Sequence, residues 1–174
     1  MNPIDAALQA LEKENDDLKQ VIEKLKWDPA YDCFTRAGME YIKWPEIAKD
    51  AVWVIVGDID HMHELNAEHT HNGMDLRIKK SINSENFRES DFVACRIKSG
   101  DELGWVITKN PLRPPTDVAG MAHRLQESFA SNGIQITLGV VRVMGQSFTE
   151  NIDRAEALYE LAKNEGRRGT INYE

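Results

Sequence analysis

The sequence has few of the features that mark membrane, secreted and nucleic-acid-coating proteins. Among its 174 residues the longest apolar run, 51–56, is far shorter than the about 20 residues of a membrane-spanning helix. Two cysteines, Cys33 and Cys95, are too few for a disulfide framework and form no CxxC motif. The first 20 residues are polar and acidic, which is not typical of a signal peptide. We therefore expect a reduced cytoplasmic protein that does not enter a membrane.

Positive charge is also scarce. Lys and Arg number 21 against 29 Asp and Glu, so the net charge is −8. A surface that coats DNA or RNA needs clustered positive charge, and this balance argues against one. A local phosphate site remains compatible with it.

The apolar residues that are present predict an α/β fold. Hydrophobic residues make up 41% of the chain and charged residues 29%, which is ordinary for a globular domain. Apolar runs and turn residues predict strands over 52–56, 92–98, 103–108 and 134–143, the second and third forming a β-hairpin. Helical spacing predicts helices over 35–41, 62–68, 118–132 and 152–164, with a further helix that reaches residue 82 after a break at Asn72-Gly73. Residues 110–116, with three prolines, are predicted to form a loop. Strands and helices alternate, which favours a sheet layered with helices.

An N-terminal helix is predicted over residues 4–27, ahead of a domain over 28–174. Apolar residues repeat at sevens with partial support at the intermediate positions: Ile4, Leu11, Leu18, Leu25, Ala7 and Val21. Glu14 interrupts the intermediate series. The pattern predicts a short two-stranded coiled coil, and the alternative is an amphipathic helix packed on its own domain. Asp28-Pro29 ends the helix because proline lacks an amide donor.

The first candidate site begins at Asp58, at the end of the strand predicted over 52–56. Asp58, Ile59 and Asp60 lead directly into a helix. Acids at the end of a sheet strand, facing a helix N-terminus, suit a site that holds a metal and a phosphate. The alternative is that Asp60 only caps the following helix.

Two further groups could complete such a site. Asp101 and Glu102 lie in the hairpin turn and would meet Asp58 if the hairpin runs beside its strand. Lys163 and Arg167, four residues apart at the end of the last helix, could reach one anion. Their alternative role is to complement the helix dipole.

Five segments, in order, resemble the motifs of one family. They are DPAYDCFTRAGME at 28–40, DIDHMHELN at 58–66, Asp75, SGDEL at 99–103 and ALYELAKNEGR at 157–167. They are similar to the opening segment, the DIDHFKxIN segment, the GHxxGD aspartate, the GGDEF turn and the closing ALYxAKxxGRN of GGDEF domains. These are the catalytic domains of bacterial diguanylate cyclases. The resemblance covers residue 28 to the C-terminus and implies a mixed central β-sheet wrapped by helices, like the palm of nucleotide cyclases.

The resemblance also implies a role for each site residue. The metal, Mg²⁺ or Mn²⁺, would be held by Asp58, the backbone carbonyl of Ile59, Asp101 and Glu102. The guanine edge would be read by Asn66 and Asp75. The GTP phosphates would be bound by the amides around His61, Met62 and His63 and by Lys163 and Arg167.

The implied activity is the condensation of two GTP molecules to cyclic di-GMP and pyrophosphate. Each of two facing domains holds one GTP, and each 3′-hydroxyl attacks the α-phosphate of the other nucleotide. A homodimer joined by the N-terminal helix would raise the effective concentration of the second half-site.

Several positions depart from the family pattern and keep other functions open. Ser99 and Leu103 alter the signature turn, His63 replaces a lysine near the phosphates, and Thr70 and Met74 replace glycines. One alternative is a weak or inactive module that binds GTP or cyclic di-GMP and regulates a partner. Another is a cyclase that makes a different cyclic dinucleotide.

A product-inhibition site is the last expectation. Arg88 and Asp91 match the family's RxxD motif, but two extra residues separate them from the signature turn. They are equally consistent with ordinary charges at a strand edge.

Overall fold

A computed structural model describes residues 2–85, 87, 92–98, 100–109, 117–145 and 147–174. Within them lie seven α-helices and seven β-strands. The helices are α1 (Pro3–Lys26), α2 (Arg36–Gly38), α3 (Trp44–Ile47), α4 (Met62–His69), α5 (His71–Ile82), α6 (Val118–Ser131) and α7 (Phe148–Asn164), with a π-helical turn (Met39–Lys43) between α2 and α3. The strands are β1 (Trp27–Asp28), β2 (Cys33–Thr35), β3 (Ala51–Ile59), β4 (Val93–Arg96), β5 (Glu102–Thr108), β6 (Ile136–Arg142) and β7 (Ile171–Tyr173).

The strands form one mixed sheet in the order β1-β2-β4-β5-β3-β6-β7. The pairs β4/β5, β3/β5 and β3/β6 are antiparallel, whereas β2/β4 and β6/β7 are parallel. The predicted α/β class, the hairpin and the N-terminal helix are confirmed. Strand β3 lies at the centre of the sheet, and its carboxyl end is the end at which the candidate acids stand.

Both faces of the sheet are covered by helices. Along β3, Val54 and Val56 face one core with Phe148 and Ile152 of α7. Ile55 and Ile59 alternate onto the other face, which is covered by α5 and α6. Successive side chains of a strand point to opposite faces, so a strand buried on both sides is apolar throughout. This accounts for the unbroken apolar run in the sequence.

A close approach between β6 and α7 aligns the last helix with the site. A Cβ atom at Gly139 would overlap the backbone carbonyl of Ala155, so only glycine allows the observed distance. Helix α7 then crosses the sheet with Tyr159 and Lys163 at the end of β3, where Asp58 lies.

Helix α1 is attached to the rest of the chain through its C-terminal end. Thr35 donates its hydroxyl to the carbonyl of Leu25 at 2.7 Å, and Gly38 lies against the backbone of Lys26. From Ile4 to Leu25 every residue of α1 is exposed. The helix does not pack along its own domain, which removes the alternative raised by its sequence; pairing with another chain stays a prediction.

Some boundaries differ from the sequence-based predictions for local reasons. The break between α4 and α5 falls at Thr70, where φ is +64°, and not at Asn72-Gly73, which lies inside α5. Helix α1 ends at Lys26 because Trp27 and Asp28 pair with β2 as a strand. The predicted helix 35–41 extends to Ile47 through the π-helical turn. The predicted loop 110–116 lies outside the described residues. None of the described helices has the length and apolar character needed to cross a bilayer.

Candidate functional site

The hairpin turn lies directly beside the end of β3. In the β3/β5 ladder Asp58 is opposite Glu102, and the amide of Ile59 donates to the carbonyl of Asp101 at 2.9 Å. The predicted meeting of the signature turn with Asp58 is therefore observed. It arises because β5, the second strand of the hairpin, pairs with β3.

A cavity of about 390 Å³ opens at this point, and every residue that lines it has a polar or charged side chain. It is lined by Asp58, Lys98, Asp101, Glu102, Tyr159, Glu160, Lys163, Asn164 and Arg168. The two lysines and the arginine face the acids, so the cavity can accept a ligand that carries both anionic groups and a cation.

Glu102 is the most buried acid that lines the cavity, at 2% exposure. Its Oε1 accepts a hydrogen bond from the Tyr159 hydroxyl, and Lys98 Nζ lies 3.4 Å from the same oxygen. Oε2 lies 3.2 Å from Lys98 Nζ but makes no hydrogen bond within the described part of the chain. Burial raises the pKa of Glu102, and the contacts from Tyr159 and Lys98 oppose that rise.

Asp58 and Asp60 share one cation. Lys163 Nζ pairs with Oδ1 of Asp58 and lies 3.0 Å from Oδ1 of Asp60. Burial raises the pKa of Asp58, the contact with Lys163 opposes the rise, and the nearby Asp101 and Asp60 carboxylates add to it. The ammonium group thus balances acids that would otherwise repel each other.

Asp60 does not cap α4, so that alternative is wrong. Its Oδ2 accepts from the Thr137 hydroxyl at 2.7 Å and from the Gly169 amide at 3.0 Å, and the residue is 1% exposed. The N-cap of α4 is His61, in a left-handed conformation with φ +58°. Asp60 therefore ties β3 to β6 and to the segment after α7.

The start of α4 faces outward without a side-chain cap from the described residues. The His61 side chain is exposed and lies 3.8 Å from Glu64. The first amides of any helix have no partner inside the helix, and they favour anions. The geometry is compatible with the predicted phosphate contacts at His61, Met62 and His63.

The residues predicted to read guanine lie on neighbouring helices. Asn66, on α4, has a buried Oδ1 that makes no hydrogen bond among the described residues. Asp75, on α5, is close enough to Tyr31 and Arg96 to act on the pKa of both. Between these helices Thr70 takes a positive φ, a conformation that glycine adopts more easily, and its hydroxyl accepts from the Gly73 amide at 3.4 Å.

The arginine predicted to bind phosphate is not the one at the cavity. Arg167 pairs with Glu165 at 2.6 Å and donates to Asn172 at 2.7 Å. Arg168 lines the cavity and lies 3.4 Å from Asp60. Both arginines follow α7 in a segment bounded by Gly166 and Gly169, where φ is +76° and +67°.

The predicted inhibition site lies outside the described residues, because neither Arg88 nor Asp91 is among them. The same holds for Ser99 of the signature turn. Their roles stay predictions.

The described residues contain no group of three or more His, Cys, Asp or Glu side chains arranged as a metal site. Lys163 instead lies between two of the carboxylates. The donors nevertheless fit a hard divalent cation, since all are oxygens and Glu102 Oε2 is buried without a hydrogen bond from that part of the chain.

Solved structures share this arrangement of strands and helices. Diguanylate cyclase SiaD of Pseudomonas aeruginosa, in complex with its activator SiaC, matches over 98% of this chain and 70% of its own, with a TM-score of 0.70 and 16% identity. The coiled coil and GGDEF domain of DgcB from Caulobacter crescentus, in complex with c-di-GMP, matches over 98% and 97%, with a TM-score of 0.64 and 16% identity. The chain has the fold of GGDEF domains.

Other matches extend the same result to larger proteins. The S helix-GGDEF-EAL portion of LapD from Vibrio cholerae, bound to c-di-GMP, matches the GGDEF fold of this chain at a TM-score of 0.69 and 18% identity. The match covers 94% of this chain and 40% of that one. No protein-family model matches the sequence, and no curated protein matches it significantly. The similarity of this chain to known proteins is therefore a similarity of fold.

Proposed function

We propose that the protein is a diguanylate cyclase, which condenses two GTP molecules to cyclic di-GMP and releases pyrophosphate. The observation that carries the proposal is that Asp58 and Glu102 lie opposite each other on neighbouring strands. Both line one cavity together with Lys98 and Lys163. The GGDEF fold of the chain supports the same activity.

The carboxylates of Asp58, Asp101 and Glu102, with the Ile59 carbonyl, would hold Mg²⁺ or Mn²⁺. When bound, the metal supplies positive charge near the α-phosphate and the attacking oxygen. The chain supplies the rest of the electrostatics: Lys98 and Tyr159 hold Glu102 in place, and Lys163 is the cation nearest Asp58. Metal binding at Asp58 would free Lys163 to move onto the GTP phosphates.

The nucleotide would lie between α4 and the cavity. The amides at His61–His63 would bind its terminal phosphates, and Asn66 and Asp75 would bind the guanine edge. A carboxylate accepts from the N1 and N2 donors of guanine, and adenine lacks that pair. The Oδ1 of Asn66, which is buried and receives no hydrogen bond from the described residues, would accept from the same edge.

The reaction needs two nucleotides in opposed orientations, so one domain alone cannot close the ring. We propose a homodimer in which α1 joins the two chains. Its apolar residues are exposed on the described surface, with Leu11 at 62% and Leu25 at 64%. Joining two sites through a short helix raises their effective concentration toward each other.

The test is product formation from GTP and Mg²⁺, resolved by chromatography. Asp101→Ala and Glu102→Ala should abolish the product, whereas the exposed Asp153→Ala on α7 should leave it unchanged. Cyclic di-GMP from the parent and from Asp153→Ala only is the expected pattern. Product that persists in Asp101→Ala and Glu102→Ala would contradict catalysis at the signature turn.

A module that binds GTP or cyclic di-GMP and regulates a partner is the second candidate. The ion pair of Lys163 with Asp58 and Asp60 favours it, because the ammonium group already balances the charge of Asp58, one of the proposed metal ligands. GTP binding by calorimetry, with no cyclic product over a wide range of protein concentrations, would decide for this candidate.

Base choice separates a cyclase for guanine from one that makes another cyclic dinucleotide. Asp75→Ser should abolish the preference for GTP over ATP if Asp75 reads guanine. An unchanged preference would favour the cyclase of relaxed specificity.

A further inference from the structure

Tyr31 is a buried residue to which the proposed reaction gives no role. It lies between β1 and β2 and is 1% exposed. Its hydroxyl donates to the carbonyl of Gly100 at 2.7 Å, across 69 residues of sequence. The Asp75 carboxylate is close enough to the Tyr31 side chain for a hydrogen bond between them to raise the pKa of the phenol. One hydroxyl therefore serves both the signature turn and the residue proposed to read guanine.

The phenol is held in place through its backbone and through its ring. Asp28 Oδ1 accepts from the amides of Ala30 and Tyr31 at 2.9 Å and 3.3 Å. The Arg96 guanidinium lies 4.3 Å from the centre of the Tyr31 ring and donates to the other oxygen of Asp28 at 2.8 Å. A cation over an aromatic face is attractive, and the charged hydrogen bond keeps the cation there. The hydroxyl therefore has a fixed position.

The signature turn is tethered through two successive carbonyls. The Gly100 carbonyl accepts from Tyr31, and the Asp101 carbonyl accepts from the amide of Ile59 at 2.9 Å. Gly100 has φ +106°, and no atom of the described residues beyond its chain neighbours lies within 4 Å of the point that a Cβ would occupy. The position of Asp101, a proposed metal ligand, therefore depends on these two hydrogen bonds.

The two acceptors near Tyr31 compete for one proton. A phenol can donate only once, and the structure pairs it with Gly100. The Asp75 carboxylate competes for the same proton, because hydrogen bonds to charged acceptors are stronger than those to neutral ones. Guanine would offer its N1 and N2 donors to Asp75 and satisfy that carboxylate. The phenol would then donate to Gly100 without competition.

We propose that Tyr31 is a positioning residue that couples guanine recognition at Asp75 to the position of the signature turn. A base that satisfies Asp75 strengthens the bond from Tyr31 to Gly100 and so holds Asp101 at the metal site. A base that lacks these donors leaves Asp75 in competition for the phenol. This inference rests on the proposed function for the role of Asp75, and it makes base choice depend on the position of the turn as well as on affinity.

Nuclear magnetic resonance of the full chain without nucleotide tests the coupling itself. Asp75→Asn should shift the amide signals of Ile59 and Asp101 in the parent, because a neutral amide competes less for the phenol proton. The same substitution in the Tyr31→Phe background should leave both signals where they are. Phenylalanine keeps the ring beneath Arg96 and removes only the hydroxyl.

Tyr41→Phe is the matched control, since Tyr41 is 76% exposed. In that background Asp75→Asn should cause the same shifts as in the parent. Shifts that persist in Tyr31→Phe would overturn the proposal, because the coupling would then run through another residue. Unchanged signals in Asp75→Asn alone would also overturn it, and this outcome does not require that Tyr31→Phe folds.

Steady-state kinetics with GTP and inosine triphosphate distinguish this role from a purely structural one. Inosine keeps the N1 donor of guanine and lacks the N2 amino group, so it satisfies Asp75 only in part. Tyr31→Phe should lower kcat with GTP by roughly threefold to tenfold, the effect of one neutral hydrogen bond, with little change in KM. With inosine triphosphate its effect on kcat should be smaller. Equal losses with the two nucleotides, or a change confined to KM, would contradict the coupling.

The two measurements also distinguish failure of this inference from failure of the proposed activity. A parent chain that forms no cyclic product from GTP contradicts the cyclase, and the nucleotide-free spectra still decide the role of Tyr31. Product from the parent, together with spectra in which Asp75→Asn has no effect at Ile59 and Asp101, leaves the cyclase in place and overturns the coupling.

Discussion

At the scale of single residues, two adjacent arginines after α7 have different surroundings. Arg168 lines the cavity, whereas Arg167 is held by Glu165 and Asn172. The two arginines are adjacent in sequence and lie between Gly166 and Gly169, which both take a positive φ. The geometry therefore predicts that Arg168 binds phosphate and that Arg167 does not.

We predict that Arg168→Ala weakens GTP binding by roughly tenfold to a hundredfold, since a hydrogen bond to a charged group contributes about 1.5–3 kcal/mol. Arg167→Ala should change the dissociation constant by less than about twofold, because surface ion pairs contribute little. Isothermal calorimetry with GTP measures both. The reverse order of effects would support the role that the family motif implies for Arg167.

Tyr31 is a second informative residue. Its hydroxyl donates to the carbonyl of Gly100, within the signature turn, at 2.7 Å, and the Arg96 guanidinium lies 4.3 Å from its ring centre. Burial raises the pKa of Tyr31 well above its ordinary value of 10.0, and Arg96 only partly opposes the rise.

A raised folded-state pKa means that the contribution of the neutral phenol to stability is complete below pH 10 and is lost above it. We predict that the unfolding free energy of the parent, relative to Tyr31→Phe, is constant from pH 7 to 9. Above pH 10 it should fall by up to about 1.4 kcal/mol per pH unit. Urea unfolding at several pH values checks this, and a difference independent of pH would show that Tyr31 ionises freely in the fold.

At the scale of elements, the junction between α1 and α2 depends on one glycine. Gly38 lies against the backbone of Lys26, where a Cβ atom would overlap the carbonyl oxygen. Gly73, inside α5, has ordinary contact distances around the same position, the nearest being 3.5 Å from Thr70 Oγ1. The two glycines form a matched pair for substitution.

Gly38→Ala should lower the free energy of unfolding by about 1–3 kcal/mol, as overpacking does. Gly73→Ala should raise it by about 0.5–1 kcal/mol, because alanine is the better helix former. Urea unfolding followed by circular dichroism measures both changes. Equal effects of the two substitutions would show that α1 is not fixed at Gly38.

The longer elements were predictable because they repeat a pattern many times. The centre of β3 and most of α6 and α7 were read from apolar spacing, and the hairpin from its turn residues. Strands β1, β2 and β7 have only two or three residues, too few for a period of two to be recognised. They form because neighbouring strands offer unpaired edges. Which edges are available depends on the tertiary structure and not on the local sequence.

The site was predictable where motif residues lie on paired strands, as Asp58 and Glu102 do. The alternative role of Asp60 as a helix cap is wrong because its carboxylate instead bonds to Thr137, 77 residues away. Arg168 was missed because its direction depends on the turn after α7. Local signals in the sequence do not encode such long-range contacts.

At the scale of the whole molecule, the proposed activity should depend on association through α1. Leu11→Glu combined with Leu18→Glu places acids in the exposed apolar row of α1 and leaves both cores intact. We predict that the specific activity of this variant rises with protein concentration, whereas the parent is already constant at micromolar levels. Lys13→Glu, on the opposite face, is the control.

Product formation at a series of enzyme concentrations measures this dependence. Identical concentration curves for the parent and the double variant would show that the two catalytic domains meet by another surface.

Helix α1 ends at Lys26, and β1 begins at the next residue. An α-helix turns by about 100° per residue, so the azimuth of each domain around the coiled-coil axis depends on the count of residues between Leu25 and Trp27. One inserted residue would rotate each domain by that angle and swing its cavity away from the opposed one. Seven inserted residues would restore the phase and lengthen the arm by about 10 Å. The rotation of each domain about the helix axis, more than the length of the helical arm, would then govern whether two bound nucleotides can react.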